Sequence, residues 1–232
     1  MDSIILGTGW YAIFLLSLTF HEFAHALAAV KLGDRTAYYY GQVTLDPLPH
    51  IRREPFGMVI IPVFSFFLSG WMIGWASTPY DPDWGRTFRK KAALMSLAGP
   101  AGNLILVLIA AFIIRIGILA GFFRVPDAVT FDNVTAASSS GLTKGLAVLV
   151  SILFSLNLIL LVFNLLPLPP LDGSNLFLLF LSDSAAERYR NFLRNPTHSL
   201  IGLIIAWQVF GPIFRHIHTF ALNMLYHGFT YR

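Results

Sequence analysis

Two histidines and a glutamate stand in the segment HEFAHALAAV, residues 21–30, directly after a run that is almost wholly apolar. On a helix, positions i and i+4 share a face one turn apart, so His21 and His25 can present two imidazoles to one zinc ion. Glu22 lies about 100° round the same helix, within reach of a water on that metal. This is the HExxH arrangement of two nitrogen ligands and a general base. Short motifs of this kind also arise by chance. Here the surroundings weigh against chance, because ionisable groups within a membrane-length apolar segment are costly and by default mark function. Three of them within five residues demand a strong compensating interaction, which a dication supplies.

Catalytic zinc sites usually have three protein ligands and an open fourth position. Most acidic residues, such as Asp34, Asp81, Asp127 and Glu187, fall in polar connections. Asp172, in NLLPLPPLDG (164–173), is different: it is the first charge after a charge-free run that begins at 145. Pro167, Pro169 and Pro170 forbid regular helix there. Non-helical backbone at membrane depth is tolerated only where it is buried in protein or lines a cavity. Asp is also a favoured helix cap, so Asp172 has a second reading as the cap of GSNLFLLFL, and the two roles are compatible.

The remaining composition fixes the setting. Of 232 residues, 56% are hydrophobic and 12% charged, about half the charged share of a soluble domain. The mean hydropathy is +0.66. These values define a membrane protein. The net charge of +4 is small and scattered, which argues against a nucleic-acid partner. There is no cysteine, so thiolate metal sites, disulfides and thiol redox chemistry are excluded. Residues 3–20, 55–80, 92–114, 145–171 and 195–214 hold no Asp, Glu, Lys or Arg, and each is long enough to be a candidate span. The first run has no basic residue before it and no small-residue cleavage site after it, so it reads as a retained helix. The connections are too short for a separate soluble domain, and no internal repeat or low-complexity tract is present. The expected fold is an all-α polytopic membrane protein of about four to six transmembrane helices. A small β-hairpin or re-entrant element is expected after the first helix.

With these motifs on the page, the chain resembles the site-2 protease family of intramembrane zinc metalloproteases. HEFAH is similar to its HExxH segment, NLLPLPPLDG to its N-x-x-P-x-x-x-L-D-G segment, and AGPAGN (98–103) to a third signature. GDRTAYYYGQVTLDPLPH (33–50) resembles a connection of the compact bacterial branch. The resemblance implies His21, His25 and Asp172 as ligands of one zinc ion and Glu22 as general base. It further implies that Asn164 helps hold the substrate or the oxyanion. It implies a single catalytic core over 1–232, without PDZ or CBS domains, in a bacterial cell membrane. The chain departs from many members at Asp46, where they have Asn, and at Ile51–Pro55, where they read IDP.

The implied activity is hydrolysis of peptide bonds within or near transmembrane segments of membrane proteins. Zinc lowers the pKa of bound water from about 15.7 to about 7 and polarises the carbonyl. Glu22 handles the proton, and Asn164 is a candidate donor to the oxyanion. A substrate helix must unwind to be cut. TAYYYGQVTL (36–45), rich in β-formers, reads as a strand that either pairs with unwound substrate or closes an internal hairpin. The tyrosines at 38–40 equally suit a membrane-interface belt. Ser65, Ser69, Asn103, Ser155 and Asn157 are polar groups in apolar runs, read first as helix–helix hydrogen bonds and second as a water path. His50, His198, His216, His218 and His227 read as structural or interfacial. Two other classes remain open, a metal transporter and a non-catalytic zinc-binding scaffold or chaperone. A transporter needs ligands at successive depths, and a scaffold has no need to keep Glu22. Substrate identity and oligomeric state have no signature in the sequence.

One zinc shared by HEFAH and Asp172 requires their helices to be parallel, which fails if both intervening runs cross the membrane. The expectation is therefore that 57–77 enters and leaves on one side, with Pro62, Gly70 and Gly74 as breaks. The re-entrant topology gathers eleven Lys and Arg on one side, against five that include Arg232 on the other. By the positive-inside rule the zinc then lies toward the cytoplasmic face.

Overall fold

Apolar length sets the frame of the computed structural model, which describes residues 3–226. His227 and Arg232 lie outside the described residues. Four helices are long and apolar enough to cross a membrane: α1 (Ser3–Leu32), α6 (Arg89–Leu119), α7 (Leu142–Asn164) and α9 (Pro196–Leu225). The chain is an all-α, integral membrane protein. Short helices join these spans: α2 (Thr36–Tyr39), α3 (Pro47–Arg53), α4 (Ile61–Ser69), α5 (Pro82–Thr87) and α8 (Asp183–Leu193). A π-helical turn (Phe56–Ile60) leads into α4, and a 3-10 helix (Asp172–Leu179) follows the proline-rich stretch after α7. α7 stops at Asn164, ahead of Pro167, and the Pro169–Pro170 peptide is cis.

Side-chain pairings fix the directions of the spans. Gly9 faces Leu149, Ser17 bonds Asn157, and His21 meets Asp172. Both numbers rise together, so α1 and α7 run parallel. His21 meets Asn103, His25 meets Met95, and Leu32 meets Lys91. Here one number falls as the other rises, so α6 runs antiparallel to α1. The main apolar core lies between α6, α7 and α9, around Leu106, Ile114, Phe154 and Phe214. A second core, with Trp10, Phe14, Met58, Ile152 and Leu156, packs α1 and α7 against the segment from 56 onward.

That segment is a hairpin. Glu54 pairs with Ser77, Gly57 with Trp75, and Ser65 with Ile73, in nested order. Only one leg is helical, and the return leg, 72–81, has no regular secondary structure. Gly70 turns the chain with φ +77°, a conformation that favours glycine. The two legs touch backbone to backbone, since a Cβ on Gly57 would lie 2.2 Å from the Trp75 carbonyl oxygen. Pro62 sits in the first turn of α4, where its missing N–H costs nothing, and it breaks nothing. Trp71 at the tip stacks on Phe131 and Trp207, which ties the hairpin to the 120–141 connection and to α9.

The strand expected over 36–45 is corrected: Thr36–Tyr39 is a helical turn. The buried Asp34 carboxylate accepts from the Thr36 amide at 2.8 Å and from the Asp81 amide at 2.8 Å. These bonds curl the backbone, and no neighbouring strand offers a ladder to reward its β-propensity. Tyr38, Tyr39 and Tyr40 are exposed. The one small sheet among the described residues, β1 (Phe123–Arg124) against β2 (Ala136–Ala137), lies between α6 and α7.

The hairpin gives a direct expectation. Because the chain has no cysteine, single cysteines placed at Ser77 and Ser184 should react with an impermeant thiol reagent from the same side of the membrane. Labelling from opposite sides would exclude the hairpin.

Candidate metal centre and active site

α1 carries His21, Glu22 and His25 on its buried surface. Asp172 reaches the same place from the first residue of the 3-10 helix. That helix is capped by Leu171 with no side-chain bond, so the capping reading of Asp172 does not apply. His25 Nε2 lies 3.0 Å from His21 Nε2 and 3.2 Å from Asp172 Oδ2, and His21 Nε2 lies 3.3 Å from Asp172 Oδ2. A tetrahedral zinc with ligand bonds of about 2.0–2.1 Å has edges of about 3.3–3.4 Å. The triangle of donor atoms matches one face of that tetrahedron to within about 0.4 Å.

The hydrogen bonds behind the triangle settle what these atoms offer. His25 Nδ1 donates to the Met95 carbonyl at 2.8 Å, so in the neutral ring that a metal ligand requires Nε2 is the lone pair facing the triangle. His21 Nδ1 lies 2.6 Å from Asn103 Oδ1. The Asn103 amide is oriented by its own Nδ2, which donates to Asn157 Oδ1 at 2.9 Å. Asn157 Nδ2 in turn donates to Ser17 Oγ and to the Leu153 carbonyl, each at 2.9 Å. His21 therefore also carries its proton on Nδ1 and presents a bare Nε2. Two lone pairs and a carboxylate oxygen facing one another repel, and a cation among them converts repulsion to attraction. Carbonyl and amide partners on the far ring nitrogens are the usual means of orienting metal-binding histidines. The donor set thus fits a zinc ion.

The AGPAGN segment explains how α6 comes so close. A Cβ on Gly99 would lie 2.2 Å from His25 Nε2 and 2.5 Å from His21 Nε2. Met95, Gly99 and Asn103, four residues apart, form one stripe of α6: a bond to His25, open room, and a bond to His21. The helix–helix reading of Asn103 and Asn157 holds, with the added consequence that their network ends on an imidazole. Ser65 and Ser69 bond within the hairpin.

A cavity of about 230 Å³ opens over the triangle, lined also by Glu22, Ser77, Thr78, Asn164 and Asn175. Asn164, at the end of α7, donates one amide hydrogen to the Leu160 carbonyl at 3.0 Å. The Thr78 hydroxyl, on the return leg of the hairpin, lies 2.7 Å from Glu22 Oε2 and 2.9 Å from the Glu22 carbonyl. Thr78 has no signature that a single sequence reveals, whereas Gly99 lies within the AGPAGN segment already singled out. Asn103 and Asn157 did have one, as paired amides within apolar runs. His50 is buried in the 33–55 connection and bonds Thr44, His198 bonds the Phe192 carbonyl of α8, and His216 bonds a carbonyl of its own helix, so these three histidines stay apart from the site.

Hydrophobic spans, an inward-facing His–His–Asp triangle and an adjacent buried glutamate are the marks of a membrane metallopeptidase. Residues 10–207 match Peptidase family M50, and the chain belongs to that family. It is 39% identical over 160 residues to the provisionally named zinc metalloprotease YwhC of Bacillus subtilis, covering 68% of this chain and 63% of that one. It is 32% identical over 171 residues to the provisionally named zinc metalloprotease Rip2 of Mycobacterium tuberculosis, covering 73% of this chain and 54% of that one. The Rip2 protein of Mycolicibacterium smegmatis is 31% identical over 170 residues, with the same coverage. The chain thus spans less than two thirds of the length of these relatives. No solved structure matches it.

Proposed function

We propose that this chain is an intramembrane zinc metalloprotease that hydrolyses peptide bonds within or near transmembrane segments of other membrane proteins. One observation carries the reading: three potential ligand atoms, two imidazole nitrogens and a carboxylate oxygen, converge at 3.0–3.3 Å beside a buried glutamate. His21, His25 and Asp172 hold one zinc ion, which supplies an acidified water and polarises the peptide carbonyl. Glu22 accepts the proton of the attacking water and returns it to the leaving amine. Asn164, on the cavity wall with one amide hydrogen bonded to the Leu160 carbonyl, has a second amide hydrogen to offer the developing oxyanion. The non-helical return leg, with Ala76, Ser77 and Thr78 on the cavity wall, offers its free backbone to an unwound substrate. The Lys and Arg excess supports placing the site on the cytoplasmic side, and the bacterial relatives support a bacterial cell membrane.

The test is purified protein in bilayers with a single-helix membrane substrate, products being read by mass spectrometry. Cleavage is expected, lost on chelation and restored by zinc but not by magnesium. Intact substrate with zinc stoichiometrically bound would overturn the assignment.

Thr78 positions the base in this reading. Thr78→Val keeps the shape and removes a hydrogen bond to a charged group, worth about 1.5–3 kcal/mol. The expected result is a fall in kcat of about tenfold or more, with zinc content and KM little changed and Thr78→Ser near wild type. Equal kcat in the Val and Ser variants would remove Thr78 from the machinery.

A further inference from the structure

A second cavity, of about 280 Å³, lies on the side of α5, α6 and α8. It shares Tyr80, Met95, Ser96, Pro170 and Asn175 with the cavity over the metal-binding triangle. Five common wall residues make the two adjoining compartments of one space. Their chemistry differs. Among the described residues, the second compartment is lined by Arg190 and Arg194 and by no Asp or Glu.

The two arginines are not equivalent. Arg190 Nη1 donates to the Gly85 carbonyl at 3.0 Å, and Nη2 lies 3.4 Å from Glu187, so this cation is anchored. Arg194, the C-cap residue just after α8, is exposed and makes no ion pair among the described residues. Asn175, on the wall between the compartments, has a carboxamide with no hydrogen-bond partner among the described residues.

A polypeptide unwound for cutting has backbone N–H and C=O groups that need partners, and an extended chain advances about 3.3 Å per residue. A substrate seated at Glu22 therefore runs on into the second compartment within a few residues. We propose that this compartment is a substrate subsite that selects an acidic side chain, Asp or Glu, a few residues from the cut bond. Arg194 is its free charge partner, Arg190 adds fixed positive charge, and the Asn175 amide takes up substrate backbone. The proposal rests on the protease reading. Anionic lipid headgroups share the charge chemistry, but continuity with the catalytic cavity favours a peptide.

The test uses zinc-loaded protein in phosphatidylcholine bilayers. Matched membrane-helix peptides carry Asp, Asn or Lys at each position from two to six residues on either side of the cut. At one position Asp should exceed Asn in kcat/KM by about three- to tenfold, through KM, as one partly exposed charge pair allows. Arg194→Glu should reverse the order and favour Lys. Labelled forms of the same peptides should bind the Glu22→Gln variant in the same order, without turnover. If the wild type cuts none of them, the protease reading fails and the binding order alone decides the subsite. Equal binding of Asp, Asn and Lys peptides overturns the proposal. So does an Arg194→Glu effect seen only as weaker response to added anionic phosphatidylglycerol, which would make the compartment a headgroup site.

Discussion

Replacing Glu22 by Gln is expected to abolish peptide cleavage while the protein keeps its zinc. Gln has the same shape and retains an oxygen for the Thr78 hydroxyl, which lies 2.7 Å from Glu22 Oε2. It cannot take up a proton at neutral pH. General acid–base catalysis contributes about 10²- to 10⁴-fold. Glu22 serves twice, on the water and on the leaving amine, so the loss should sit at the upper end of that range. The donor triangle of His21, His25 and Asp172 does not include Glu22. Metal analysis of the purified variant should therefore return the wild-type zinc ratio. Turnover near wild type would sink the assigned base, and loss of zinc would mean that Glu22 supports the metal.

The parts of the site written in short-range arithmetic were legible before any coordinates. His21 and His25 are one helical turn apart, and no packing detail is needed to bring them together. Asp172 was visible because three prolines stop a helix just before a lone charge. The hairpin was legible for a related reason: a shared metal demands parallel helices, and only a re-entrant 57–77 allows them. Where tertiary contact decides, a single sequence falls silent. Thr78 is one threonine in a non-helical leg, and it gains meaning only because that leg folds back onto Glu22. The 36–45 segment misled because its β-formers were read without Asp34, whose carboxylate bends the backbone from outside the segment. Asn164 came from resemblance alone, and its place on the cavity wall is compatible with that assignment.

Gly99→Ala is expected to empty the metal site without unfolding α6. In a helix interior, Ala for Gly is favourable by about 1 kcal/mol, so propensity alone would make the variant more helical and more stable. The added methyl, however, falls 2.2 Å from His25 Nε2 and 2.5 Å from His21 Nε2, on the atoms that face the metal. α6 cannot simply move away to relieve this. Met95 and Asn103, four residues to either side on the same stripe, hold the far nitrogens of the same two rings at 2.8 and 2.6 Å. A shift that clears the methyl breaks those bonds, and rotation of the rings breaks the triangle with Asp172. Loss of one such supporting bond typically costs about 10- to 100-fold in metal affinity, and here both are at risk together with the donor geometry. Zinc affinity, measured by competition with a chelator, should fall by more than about a hundredfold, with helical circular dichroism and detergent-solubilised size unchanged. Tight, stoichiometric zinc in Gly99→Ala would show that α6 does not press against the imidazoles as described here. The role of the whole AGPAGN segment would then have to be sought elsewhere.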